Sequence, residues 1–106
     1  MKILLDECIP RKLKRDLKEF KVYSVFDFSW EGIKNGALLK LMVENGFDIL
    51  LTIDKNLKYQ QNILQHDVTI VVLDVKRSKI ELMKKLLPEF KERINKLKKF
   101  RVYEIK

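Results

Sequence analysis

A chain of 106 residues, 46% apolar and carrying a net charge of +8, has room for one ordinary core and too much apolar content for disorder. Its apolar runs are of strand length, far short of the ~18 residues of a membrane span, and no apolar leader with a cleavage site opens it. The lone Cys8 excludes an internal disulfide, so a cytoplasmic setting is expected, while the excess of lysine and arginine points to nucleic acid, with plain solubility as the alternative.

Lys2-Ile3-Leu4-Leu5 is a short apolar run that ends in Asp6-Glu7 and reads as a first strand. Pro10 suits a first helical turn, and Ile9, Leu13, Leu17 and Phe20 follow at helical spacing. The outer face of that helix carries Arg11, Lys12, Lys14, Arg15 and Lys18. Lys21 to Phe28 reads as a second strand, and Ser29 to Gly32 as a loop. Leu38, Leu41 and Met42 mark a short helix closed by Asn45-Gly46. The stretch Asp48-Ile49-Leu50-Leu51-Thr52 is apolar on both faces, as a buried parallel strand is, and leads directly to Asp54-Lys55-Asn56. Asn56 to Gln65, amide-rich with Gln60-Gln61-Asn62, reads as a short helix. Val68 to Leu73 is another apolar strand. A long helix from about Ser78, with Pro88 inside its stripe, is expected to kink or break near Leu87. Arg101 to Ile105 alternates as a closing edge strand of either direction. Strand–helix alternation over residues 1–106 predicts one α/β domain, a three-layer sandwich with a mostly parallel central sheet.

In an open parallel sheet, functional groups gather beyond the carboxyl ends of the strands. Asp6 and Asp54 both stand there and, as hard oxygen ligands, suit Mg²⁺ or Mn²⁺. The competing reading makes them a helix-start residue and a turn cap. Lys55, Asn56 and Arg11 are candidate phosphate contacts beside them. Residues 76–101 carry a dense lysine and arginine run, either a solvated helix face or a track for a nucleic-acid backbone. Cys8 reads as a small, partly buried residue, and no histidine-based triad or zinc site can be built around His66.

The runs Met1-Lys-Ile-Leu-Leu-Asp-Glu-Cys-Ile-Pro10, Trp30-x-Gly32, Lys34-Asn-Gly-x-Leu-Leu39 and Phe47-Asp-x-Leu-Leu-Thr-x-Asp-Lys-Asn-Leu57 resemble the small PIN-like proteins of unknown function, over nearly the whole chain. That group is related by fold to the PIN nucleases, VapC-type toxins among them, which cut RNA with clustered carboxylates and Mg²⁺ or Mn²⁺. The resemblance makes Asp6 the first metal-binding aspartate and Asp54 the second, with Thr52 in support and Glu7 and Asn35 assisting catalysis. It also implies an RNA substrate and an antitoxin protein as partner; the sequence leaves the oligomeric state open, a homodimer included. Asn35 stands where PIN proteins carry an acid, and Ala37 where similar sequences often have Glu. Two functions therefore stay open: a metal-dependent ribonuclease, as the toxin of a toxin–antitoxin pair, or an inactive PIN-like scaffold that binds RNA or a protein. A phosphoacceptor receiver domain is set aside, because no Ser or Thr follows the strand from Val68 and no Lys-Pro pair ends a later one.

Overall fold

Ile3-Leu4-Leu5, Ile49-Leu50-Leu51 and Ile70-Val71-Val72-Leu73 are at most 1% exposed, so these segments must be covered on both faces. In the computed structural model, which describes residues 1–59 and 65–106, they are the central strands of a five-stranded sheet. The strands are β1 (Lys2–Leu5), β2 (Lys21–Ser24), β3 (Ile49–Thr52), β4 (Thr69–Leu73) and β5 (Arg101–Ile105), in the order β2-β1-β3-β4-β5. Every pairing is parallel, including that of β5, whose direction the sequence leaves open. Alternate strand residues feed opposite cores. Ile3, Leu5, Ile49, Leu51, Val71 and Leu73 pack with Leu13, Leu17, Met83, Leu87, Phe90 and Ile94. Leu4, Leu50, Ile70 and Val72 pack on the other face with Leu38, Leu39, Met42, Phe47 and Leu57. Burying these side chains is the main stabilising term, at ~1.5–3 kcal/mol for each large aliphatic.

The helices are α1 (Asn35–Glu44) and α2 (Ile80–Arg93). Helix α1 ends as its sequence predicts: the Asn45 N–H reaches the Leu41 carbonyl, and Gly46 takes φ +73°, a left-handed value that costs glycine little. Three expectations are corrected. Arg11–Leu17 is a 3-10 segment rather than an α-helix, as the Leu13 N–H to Pro10 carbonyl bond of 3.0 Å illustrates. The second strand stops at Ser24, and Val25–Phe28 turns as a 3-10 segment. Helix α2 continues through Pro88 without the break that is one of the two outcomes expected there. Lys84 and Pro88 are both exposed, so the carbonyl that loses its partner to the proline ring can be met by water. Of the expected helix over Asn56–Gln65, Lys55–Tyr59 is a 3-10 segment, and the Gln60-Gln61-Asn62 run lies outside the described residues. No helix among the described residues is long and apolar enough to cross a membrane.

Asp27 stops β2. Its carboxylate accepts from the Ser24 N–H at 2.7 Å, while the Ser24 hydroxyl accepts from the Phe26 N–H at 3.2 Å, a reciprocal capping box. Arg11 (2.5 Å) and Lys14 pair with the same carboxylate and tie the first 3-10 segment to the strand end. Burial alone would push this carboxyl up, but the Lys14, Ser24 and Arg11 donors outweigh it and hold the pKa at about 2, against an ordinary 3.8. A depressed folded-state value stabilises the fold above the unfolded pKa and stops doing so as pH falls through the folded one. Asp27→Asn should therefore cost no more than about 2 kcal/mol near neutral pH, less the solvent screening of its exposed partners. In urea titrations the gap between wild type and variant should close between pH ~4 and ~2. A gap that survives undiminished at the acid end would contradict this assignment.

Candidate functional site at the carboxyl edge of the sheet

Strand order reverses between β1 and β3: the chain leaves β1 for β2 on one side and enters β3 on the other. Such a switch point opens a crevice at the carboxyl ends of the two strands. Register places Leu5 against Leu51, and hence Asp6 level with Thr52. The Asp6 N–H continues the ladder to the Leu51 carbonyl at 3.0 Å, and its side chain, on a residue only 9% exposed, turns into the crevice edge.

Thr52 is fully buried and organises this edge. Its hydroxyl donates to Asp6 Oδ2 at 2.8 Å and accepts from the Asp54 N–H at 3.1 Å. The Cys8 Sγ lies 3.4 Å from the same oxygen. Because the hydroxyl proton is committed to Asp6, the thiol is the donor in that contact. Burial, the largest influence, pushes the Cys8 thiol pKa up, so the sulfur stays protonated and serves as a donor, not a nucleophile. The other Asp6 oxygen, Oδ1, accepts from the Glu7 N–H at 2.9 Å. Asp54 Oδ1 accepts from the Asn56 N–H at 3.0 Å, an Asx turn that fixes the carboxylate at the head of Lys55–Tyr59. One hydroxyl thus links the Asp6 side chain to the Asp54 backbone.

The remaining predicted residues are distributed around this centre. Glu7 and Asn35 both line a cavity of about 480 Å³ formed with the Gly32–Gly36 loop at the start of α1. Lys55 forms an ion pair with Asp74 at 2.5 Å, and Arg11 is held by Asp27. Asn56 is exposed and contributes its N–H to the Asp54 turn. No protein-family model, curated protein or solved structure matches the chain. Among the described residues no three Asp, Glu, His or Cys side chains converge as a ready-made metal cage.

Asp74 is the residue that sequence reasoning missed. It follows β4 as Asp6 follows β1, and the Ile49–Thr69 register carries Asp54 and Asp74 to the same level. The signal was present in Val71-Val72-Leu73-Asp74, the same apolar-run-then-acid pattern. Acids at the opposite edge behave differently. Burial would push the Asp48 carboxyl up, yet the Lys2 N–H (2.8 Å) and the Lys99 ammonium (2.9 Å) hold it below the usual range, as a brace across β1 and β3. Asp54 carries no such cation among the described residues, and its neighbour Lys55 is turned toward Asp74.

Proposed function

We propose that this chain is a PIN-like ribonuclease of the three-layer α/β sandwich type, dependent on Mg²⁺ or Mn²⁺, acting as the toxin of a toxin–antitoxin pair. The observation that carries the reading is Thr52, whose one hydroxyl holds the side chain of Asp6 and the backbone of Asp54 at the switch point. The donor set suits Mg²⁺, which is commonly bound by one or two carboxylates with water completing the shell, rather than Ca²⁺ or Zn²⁺, which ask for a fuller protein cage. Asp6 and Asp54 would hold the ion. When bound, it supplies positive charge against a phosphodiester and acidifies water. The chain's own residues do the rest: Thr52 holds and aims the Asp6 side chain, Glu7 at the cavity wall is placed as the general base, and Asn35 offers an amide to a phosphate oxygen.

Mixed RNA incubated with the protein and Mn²⁺ should be cut, and Asp6→Ala or Asp54→Ala should lower the rate by at least about a hundredfold. Cleavage that persists unchanged in both variants would sink this mechanism. A second reading, an inactive scaffold that binds RNA or a protein partner, is favoured by Asn35 and Ala37 at positions where acids would complete the site, and by the absence of a three-acid cluster among the described residues. Salt-sensitive RNA binding without cleavage would select it.

A further inference from the structure

Between β4 and α2 the chain passes through Val75 to Lys79 and leaves a groove of about 470 Å³ at the same sheet edge as Asp6 and Asp54. Its rim carries Lys76, Arg77, Lys79 and Lys85, four cations with no ion-pair partner among the described residues. Its floor is apolar, built from Val75, Leu82 and Leu86, each partly exposed. The contrast with the neighbouring groove on α2 is informative. There Lys84 faces Asp16 at 3.8 Å and Lys91 faces Glu19 at 3.1 Å, so two of the four lining cations, Arg15 and Lys18 being the others, are paired within the fold. In the β4–α2 groove the one carboxylate among the described lining residues, Asp74, is already engaged by Lys55.

We infer that the β4–α2 groove seats one nucleotide unit of a single-stranded RNA, with phosphates on the Lys76–Arg77–Lys79–Lys85 rim and a base or sugar on the apolar floor. An inorganic anion would use the rim and leave the floor bare; an apolar ligand would waste the rim. A nucleotide matches both, and the volume falls within the ~300–1,000 Å³ usual for small-ligand sites. The Lys55–Asp74 pair joins this groove to the Asp54 turn, so the strand continues from the rim across Lys55 toward the Asp6–Asp54 crevice. This placement rests on the RNA-directed reading above, but it concerns binding and is measured apart from cleavage.

The test is fluorescence anisotropy with a labelled single-stranded RNA of about 12 nucleotides, in EDTA, over a range of salt. Lys76→Gln/Arg77→Gln/Lys79→Gln should bind about tenfold more weakly, with the slope of log affinity against log salt reduced by about two, since each lost phosphate contact removes ~0.7. Lys84→Gln/Lys91→Gln, which removes two lysines already paired with Asp16 and Glu19, should change affinity by less than about twofold. Circular dichroism checks that both variants fold; the substituted side chains are exposed, apart from the half-buried Lys91. Unchanged affinity and salt slope in the triple variant would overturn the inference, as would anionic phospholipid vesicles binding the groove in place of RNA. Groove-dependent binding without any cleavage upholds the groove and rejects the nuclease; cleavage with groove-independent binding does the reverse.

Discussion

Thr52→Val should destabilise the protein by about 2–4 kcal/mol, one of the largest losses open to a substitution that changes no volume. Valine fills the fully buried site, so no cavity term enters. What is lost is the hydroxyl. Asp6 Oδ2 forfeits its 2.8 Å donor, a bond to a charged acceptor worth ~1.5–3 kcal/mol, and the Asp54 N–H forfeits its acceptor, while the Cys8 thiol keeps Asp6 Oδ2 at 3.8 Å. Urea unfolding should show a lower midpoint with an unchanged m-value. Thr52→Ser, which keeps the oxygen and drops a methyl, should recover most of the difference. In the double variant Asp6→Asn/Thr52→Val the losses should be less than additive, because the side chains share a bond. A Thr52→Val protein as stable as wild type would mean that the hydroxyl does not organise this edge.

That one threonine shows what the sequence makes legible. The apolar runs around Leu4, Leu50 and Val71 announce strands buried on both faces, since a half-exposed strand would alternate. Asp6 and Asp54 stand out because an acid directly after such a run lands at the strand's carboxyl end. Strand order does not follow from any run. Only the pairing of β1 with both β2 and β3 sets Asp6 level with Thr52 and makes the hydroxyl a bridge. The 3-10 character of Arg11–Leu17 is similarly hidden, because Leu13 and Leu17 are buried whether the backbone bonds run to i+3 or i+4. The end of β2 was readable: Ser24-x-x-Asp27 has the Ser/Thr-x-x-acid spacing of a capping box, masked by the aromatic, strand-favouring side chains of Tyr23, Phe26 and Phe28. Those aromatics serve packing instead. Phe28 stacks on Trp30 at 4.5 Å, and Tyr23 and Phe47 close the cluster edge-on, so Trp30 lies within a ring assembly rather than on an open stacking surface.

Mn²⁺ should raise the melting temperature of the wild-type protein by on the order of 10–20 °C, and EDTA should reverse the effect. An ion that binds the folded chain alone, at a hundredfold excess over its dissociation constant, adds about 2.7 kcal/mol, and each kcal/mol shifts a domain of this size by ~4–8 °C. The unfolded chain does not assemble this site, because Asp6 and Asp54 are 48 positions apart in sequence (54 − 6) and come to one sheet edge only through the β1–β3 pairing. Asp54→Asn keeps the side-chain oxygen that accepts the Asn56 N–H, so the turn survives and the metal-free variant should melt close to wild type. It loses the charge an ion requires, and the Mn²⁺ shift should vanish. Asp54→Ala separates the two roles further: loss of the Asx turn costs about 1 kcal/mol whether or not metal is present. If Asp54 is a turn cap and nothing more, Asn will be silent, Ala will cost that same amount with or without Mn²⁺, and wild type itself will show no shift. A wild-type shift that Asp54→Asn leaves intact would place the ion elsewhere and remove Asp54 from the site.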